Sequence, residues 1–225
     1  MKRFFIIACF ISILLPNNEE HISYLVKYNG IKAGEATLLK KIIKDDINIT
    51  FNLKSRKFID LIYKLRESVS ITVDKKNYSI LNINKSTQQG KYKKTYKASF
   101  DYNNSIGLIN NNQITITNHI YDPISIIYNL RDKTFKKDQV YKYSIISKNS
   151  IKEIEMRVIG NEKVKIKNIE YECSILEAIS SDDKEKIKRT DALKLWISSD
   201  QLAIPVIIEK EAKNGTITME IQNYK

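Results

Sequence analysis

Apolar and polar residues alternate along most of the chain. Hydrophobic side chains recur at every second position in seven segments, at residues 47–53, 69–73, 114–116, 154–158, 164–166, 193–197 and 217–221. A period of two places the apolar side chains of a strand on one face. One apolar face and one polar face is typical of antiparallel sheets, because parallel strands are buried on both faces. The pattern therefore predicts a mainly β fold of ten or more one-sided strands.

Short polar turns separate these strands. Asn29-Gly30 and Asn214-Gly215 lie between alternating arms and predict β-hairpins. Gly34, inside the second strand, predicts a bulge or a bend. Further turns are predicted at residues 45–46, 75–77, 103–104 and 160–161, and the charged stretch 182–190 predicts a loop or hairpin tip.

Two segments have helical spacing instead. In residues 58–65, apolar side chains follow the i, i+3, i+4, i+7 pattern of about two helical turns. In residues 121–131, Asp122 followed by Pro123 is typical of an N-cap and a first helical residue. Ile126, Ile127 and Leu130 would then face the sheet.

A sheet of this size must cover its apolar face. We predict a single domain over residues 20–225, antiparallel and barrel-like or strongly curved, with one or two short helices; a sandwich is the alternative. Many strands curled around two short helices can leave an apolar interior that side chains do not fill. Such an interior is the physical route from this sequence to a ligand.

The amino terminus predicts export. Lys2 and Arg3 precede an apolar run over residues 4–16, and polar residues follow at once. This layout is typical of a secretory signal peptide, here residues 1–16, and the run is shorter than the roughly 20 residues of a membrane-spanning helix. We therefore expect an exported, periplasmic protein; an uncleaved short anchor is the alternative. Cys9 is interpreted as an apolar residue of the signal, because the apolar run continues beyond it. The alternative is lipidation at that cysteine.

The chain is basic, with a net charge of +12. Such an excess can indicate an anionic partner, such as phospholipid head groups. The alternative is a composition rich in Ile, Lys and Asn, as an A/T-rich genome produces. Lys and Tyr alternate over residues 91–97, which on a strand places Tyr92, Lys94 and Tyr96 on one covered face. We expect no nucleic-acid partner, because exported proteins rarely meet nucleic acid.

Catalytic and metal chemistry has little support. Without the signal, Cys173 is the one remaining cysteine, so an intramolecular disulfide is excluded. We interpret Cys173 as a buried apolar residue. The two histidines, His21 and His119, are too far apart for a clustered zinc site. Ser125, His119 and Asp122 can be drawn as a triad, although Asp122 is better explained as a helix cap. We predict no catalytic residue, no metal and no cofactor.

Three segments have a familiar order and spacing, at residues 28–36, 122–131 and 195–206. Together they resemble the bacterial domain-of-unknown-function 3108 family of exported proteins. The resemblance implies a β-rich envelope domain over nearly the whole mature chain. It implies no catalytic residues, because the family has none established.

Tyr128, Arg131 and Trp196, within these segments, are the candidate ligand-binding residues. Arg131 would lie at the C-terminal end of the predicted helix, where it would either interact with the helix dipole or contact an anion. Trp196 would point away from Leu195 and Ile197. It would either anchor a helix or form part of a ligand-cavity wall.

These observations favour a non-enzymatic envelope protein that binds or carries an apolar or amphipathic molecule, such as a lipid or a lipoprotein acyl chain. Peripheral contact with a membrane is compatible with the basic surface. The alternatives are an envelope assembly or interaction factor with a filled core and, less favoured, a glycan or ester hydrolase. The sequence alone does not determine the oligomeric state.

Overall fold

The computed structural model describes residues 18–61, 64–147, 150–180, 193–212 and 215–225. The predicted signal peptide and the predicted loop at 182–190 lie outside these ranges, as does Asn214. None of the helices in the described ranges is long and apolar enough to cross a membrane.

The described residues form fifteen strands and two helices. The helices are α1 (Lys57–Asp60) and α2 (Pro123–Arg131). The strands are β1 (Glu19–Tyr28), β2 (Ile31–Ile43), β3 (Asp46–Ser55), β4 (Leu65–Asp74), β5 (Ile80–Gln89), β6 (Tyr92–Asp101), β7 (Ile106–Ile109), β8 (Asn112–Thr115), β9 (Ile120–Tyr121), β10 (Val140–Ser147), β11 (Ser150–Ile166), β12 (Ile169–Ser180), β13 (Leu193–Ser198), β14 (Pro205–Ala212) and β15 (Gly215–Tyr224).

All of these strands belong to one curled, open sheet. Its order is β8-β7-β6-β5-β4-β3-β2-β1-β15-β14-β13-β12-β11-β10-β9, and every pair is antiparallel except β9 with β10. The two edge strands, β8 and β9, are consecutive in the chain and are joined by residues 116–119 alone. A connection of that length spans at most about 18 Å, so the two edges must lie close together. The predicted barrel-like or strongly curved sheet is therefore confirmed.

The apolar faces of the strands point into the curl and form its core. Ile22, Ile49, Val73 and Ile80 are completely buried there. We call the end of the sheet that carries the β1–β2, β3–β4 and β5–β6 connections the upper end. The opposite end, with the β2–β3 and β4–β5 connections, is the lower end. Cys173 is also buried, as predicted, and burial raises the pKa of its thiol to about 12.

Two glycines occupy positions that disfavour a side chain, Gly30 through its backbone angle and Gly34 through lack of space. Asn29 and Gly30 both have positive φ angles, 48° and 81°, which suits a two-residue hairpin turn. At Gly34, a Cβ atom would lie 2.5 Å from the carbonyl oxygen of Lys54. A bulge between Val26 and Lys27 lies beside Gly34, so the predicted irregularity is confirmed.

Two local predictions are wrong. Of the helix predicted over residues 58–65, the described part forms the single turn α1, and Phe58 and Leu61 are exposed. Residues 62 and 63 lie outside the described ranges. Short helices are marginal unless an apolar surface covers them, and Leu65 belongs to β4 instead, where its amide donates to Ser55 Oγ at 2.8 Å. The turn predicted at 160–161 lies inside β11, because a bulge between Val158 and Gly160 lets the strand continue.

Candidate functional site

Helix α2 begins as its sequence predicts. Asp122 Oδ1 accepts hydrogen bonds from the amides of Ile124 at 3.0 Å and Ser125 at 2.9 Å, and Ser125 Oγ accepts one from the Asp122 amide at 3.0 Å. This reciprocal capping box leaves Pro123 at the first helical position, where its missing N–H costs nothing. Ile126 and Leu130 are completely buried, so the predicted apolar face of α2 is confirmed.

The C-terminal end of α2 lies at the lower end of the curled sheet. Asn129 Nδ2 donates to the carbonyl oxygen of Asn77, in the β4–β5 connection, at 2.7 Å. Tyr143 on β10 donates its hydroxyl to Asn129 Oδ1 at 2.8 Å. Arg131 Nη2 donates to the carbonyl oxygen of Leu202, between β13 and β14, at 2.9 Å. The helix is therefore tied to strands from both halves of the sheet.

A buried ion pair completes this attachment. Arg131 forms two parallel hydrogen bonds with Glu20 on β1, each 2.7 Å long, and both side chains are 9% exposed. The hydroxyls of Tyr128 and Tyr224 donate to the same carboxylate at 3.0 and 3.2 Å. Burial opposes ionisation of Glu20, but the hydrogen bonds and charge of Arg131 outweigh it, so the pKa of Glu20 is below its ordinary value.

The fold brings Tyr128 and Arg131 together around Glu20, whereas Trp196 has other partners. Trp196 Nε1 donates to Glu162 Oε2 at 3.0 Å, and Lys194 Nζ lies 4.8 Å from the centre of the ring. Trp196 is buried, and the partners described for it belong to strands β11 and β13. A ligand-binding role for the three residues stays a prediction.

Glu20 is the residue that sequence reasoning missed. Glu20 is the first residue of the predicted domain, and nothing nearby in the sequence points to Arg131. The available signal was its position, because Glu20 precedes Ile22, Tyr24 and Val26 in the same alternation and must therefore face inward.

Helix α2 covers only the lower part of the inner face. Its nine residues span about 14 Å, whereas a ten-residue strand spans about 33 Å. Its C-terminal end is at the lower end, and its first turn lies near Lys85, roughly half-way along β5. The charge of Glu67, the third residue of β4 from the upper end, also acts on this turn. The upper inner face therefore extends beyond the helix.

We call this uncovered region the mouth. Its residues are identified by register with buried core positions, and each is half-buried or exposed: Tyr28, Leu65, Tyr92, Lys94, Lys210, Ile217 and Met219. Ile217 and Met219, for example, continue the alternation of the buried Ile221 along β15. The same alternation places Glu67 and Lys85, which form an ion pair, on this face. The mouth thus combines apolar side chains with charged ones, of which Lys94 and Lys210 have no ion pair in the described chain.

Two polar groups lie at the floor of the mouth. The hydroxyl of Tyr96 is buried and has no hydrogen-bond partner among the described residues, and burial together with Asp122 raises its pKa to about 12. Burial raises the pKa of Asp122 to about 6, although its two amide donors and Lys85 favour the charged form. An unpaired buried hydroxyl is costly, so Tyr96 could accept a polar partner without losing one.

The residues considered for catalysis have structural contacts. His119 is exposed; its Nε2 lies 3.4 Å from Asn77 Nδ2 and its ring 5.0 Å from that of Tyr102. Ser125 and Asp122 cap α2, so the three side chains form no relay. The described residues contain no group of three His, Cys, Asp or Glu side chains that could hold a metal ion.

The outer face also has a concave region. A half-open groove of about 560 Å³ crosses β2–β6. Its outward-facing side chains are mostly charged or polar, among them Glu35, Asn52, Arg66 and Gln88. An apolar chain would therefore gain little there compared with the mouth.

Comparison with known proteins agrees with the resemblance noted in the sequence. The family model described as "Protein of unknown function (DUF3108)" matches residues 23–222. The chain belongs to the DUF3108 family. A similar solved structure is the beta-barrel-like protein of domain of unknown function DUF1849 from Brucella abortus, with a TM-score of 0.62, 10% sequence identity, and coverage of 92% of this chain and 97% of that one. At this identity the likeness shows the fold alone. No curated protein matches this DUF3108 chain in sequence.

The raised pKa of Asp122 leads to a prediction for stability. A carboxyl whose pKa is higher in the folded than in the unfolded state stabilises most below its unfolded value, near 3.8, and this contribution is lost as the pH rises through about 6. Asparagine caps helices as well as aspartate does and carries no charge. We expect Asp122→Asn to raise the free energy of unfolding by about 1–2 kcal/mol at neutral pH, as measured by urea denaturation.

The gain from Asp122→Asn should shrink towards zero as the pH falls below 4, because the wild-type carboxyl is then neutral too. Asp101→Asn is the matched control, since Asp101 also accepts backbone hydrogen bonds but in an exposed turn. It should bring no gain at neutral pH. A clear loss of stability for Asp122→Asn at neutral pH would contradict the argument.

Proposed function

We propose that this protein is a non-enzymatic binding protein of the bacterial cell envelope, which holds an amphipathic molecule, such as a lipid or a lipoprotein acyl chain, in the mouth. One observation carries the proposal: α2 covers the lower inner face, and the inner face above it is half-exposed. Exposed apolar concavities with a few polar groups are where such ligands bind.

The mouth has the chemistry that an amphipathic ligand requires. Leu65, Ile217 and Met219 offer apolar surface to an acyl chain. Lys94 and Lys210 place positive charge at the same opening, where an anionic head group would lie. The unpaired hydroxyl of Tyr96 offers one hydrogen bond at the floor.

Export is part of the proposal. The support is the basic, apolar and then polar order of residues 1–20. Fractionation of cells that express the full chain, followed by mass determination of the recovered protein, tests this. Recovery from the periplasm with about 16 residues removed is expected. Recovery of the intact chain from the cytosol would refute export.

A binding measurement tests the mouth. We expect Ile217→Asp to weaken the binding of a fluorescent fatty acid to the purified protein by at least about tenfold, because a carboxylate replaces apolar contact and repels the head group. Thr218→Asp is the control: it adds the same charge to the same strand but on the outer face. Thermal melting of both variants shows whether the fold is retained.

Tyr96→Phe gives an independent test, because it removes the hydroxyl and no hydrogen bond within the described chain. The melting temperature should stay the same or rise, while the affinity for the fatty acid falls. Equal affinity of Ile217→Asp, Thr218→Asp and wild type, or no binding by any of them, would reject the mouth as a ligand site. It would favour an assembly or interaction factor with a filled core.

A further inference from the structure

Exposed apolar side chains are concentrated at the upper end of the sheet. Four of the five most exposed large apolar residues in the described chain lie there: Leu61 at 88%, Ile31 at 65%, Tyr92 at 61% and Phe58 at 52%. Each belongs to a connection or to a strand end beside it. Exposed apolar groups clustered in this way indicate an interaction surface.

These connections form one continuous edge. The amide of Arg56 donates to the carbonyl oxygen of Ala33 at 2.9 Å, which places the β3–β4 connection beside the start of β2. The amide of Gly90 donates to the carbonyl oxygen of Lys64 at 2.7 Å, which places the β5–β6 turn beside the same connection. We call this edge, residues 27–35, 54–61, 64–67 and 88–94, the upper rim.

The upper rim is strongly basic. It contains ten Lys or Arg residues and three acidic ones, Glu35, Asp60 and Glu67. Each acid already forms an ion pair, with Lys54, Arg66 and Lys85 respectively. The cations of the rim without an ion pair in the described chain are Lys32, Arg56, Lys57, Lys64, Lys91, Lys93 and Lys94.

The lower turns on the same half of the sheet have no such excess. These turns, at residues 44–46, 74–76 and 101–104, contain three lysines and four aspartates. A genome-wide enrichment in lysine would raise both ends alike. Composition alone therefore does not explain why the upper rim is more basic than the lower turns beside it.

We propose that the upper rim docks on an anionic phospholipid bilayer, with its apolar side chains in the interfacial region and its lysines among the head groups. Charge complementarity selects this occupant, since anionic lipid attracts clustered lysines and apolar residues between them add insertion. The rim borders the mouth on the side of β1–β6, so this inference rests on the proposed function for its purpose. Docking would place the mouth against the source of its ligand.

Vesicle co-sedimentation of the purified protein tests the docking. We expect binding to vesicles of phosphatidylethanolamine with phosphatidylglycerol, and at least tenfold weaker binding to vesicles of phosphatidylcholine, about the effect of losing a few lysine contacts. In about 1 M salt, where the screening length is roughly 3 Å, most of the binding should be lost.

Two charge-matched triple variants locate the surface. Lys57→Glu, Lys64→Glu and Lys91→Glu together change the rim but no residue of the mouth, and should weaken vesicle binding at least tenfold by the same electrostatic contribution. The control triple, Lys44→Glu with Lys75→Glu and Lys76→Glu, changes the charge of the lower end by the same amount. It should leave vesicle binding within about twofold of wild type. Equal weakening by both triples, or equal binding to both kinds of vesicle, would overturn the proposal.

The apolar part of the rim has its own pair of variants. Phe58→Ser with Leu61→Ser should reduce the binding that persists in high salt, whereas Ile169→Ser with Leu202→Ser, which also removes two exposed apolar side chains, should not. Fatty-acid binding separates the two proposals. If wild type does not bind vesicles but the rim triple variant still binds the fatty acid, only the docking proposal is rejected. If the protein binds vesicles but not the fatty acid, only the ligand proposal is rejected.

Discussion

Replacing Glu20 by alanine should lower the free energy of unfolding by about 3–5 kcal/mol, as measured by urea denaturation near neutral pH. The substitution leaves the buried guanidinium of Arg131 without a carboxylate and removes the acceptor for Tyr128. A buried charge without its partner is far more costly than an intact pair is stabilising. The attachment of α2 to β1 would be lost with it.

The adjacent residue is a close control. Glu19 also forms an ion pair, with Lys41 at 2.6 Å, but both side chains are about half exposed. Exposed pairs contribute at most about 1 kcal/mol, so Glu19→Ala should have little effect. Similar losses for Glu19→Ala and Glu20→Ala would show that the buried pair is not what holds the helix.

The pH dependence follows from the lowered pKa of Glu20. A carboxyl with a depressed pKa stabilises the fold above its ordinary value, 4.5, and this contribution is lost as the pH falls through the lower folded value. The difference in stability between wild type and Glu20→Ala should therefore narrow as the pH drops below 4.5. Replacing Glu20 and Arg131 together by Leu and Met should recover much of the loss, because no charge is left buried.

Replacing Ile126 by alanine should lower the free energy of unfolding by about 2–5 kcal/mol. Ile126 is completely buried between α2 and the sheet, so alanine leaves a cavity that a sheet wrapped around the helix cannot easily close. Calorimetric or urea unfolding measures the change. A loss of this size would show that α2 is a permanent part of the core.

Ile124 is the matched position on the same helix. It is half-buried, and Ile124→Ala removes the same atoms with an expected loss of about 1 kcal/mol. Nearly equal, small losses for both variants would indicate that α2 packs loosely and that more than the mouth is open to a ligand.

Local chemistry explains the predictions that are confirmed. An N-cap aspartate, a first-turn proline and a serine three residues after the cap specify a helix start by contacts within four residues of chain. Alternation of apolar residues specifies which face of a strand is buried, wherever the strand lies. These signals need no distant partner, and therefore the β class, α2 and most turns can be predicted from the sequence.

The errors and omissions have the opposite origin. Residues 58–65 have helical spacing, but Phe58 and Leu61 are exposed, and Leu65 belongs to β4. Glu20 and Arg131 are separated by more than a hundred positions, and no local pattern pairs them. The alternation around Trp196 does not predict its partners, Glu162 and Lys194, because they depend on the register of β11, β12 and β13.

The sequence by itself determined the family, the one-sided strands, the capped helix and the basic excess, because each is encoded by neighbouring residues or by composition. The tertiary structure alone decided that α2 stops part-way along the sheet, that Arg131 is neutralised by Glu20, and that seven cations without an ion pair in the described chain lie together at the upper rim. These properties arise from the order in which strands pair and curl. That order joins residues far apart in the chain, where short-range periodicity carries no information.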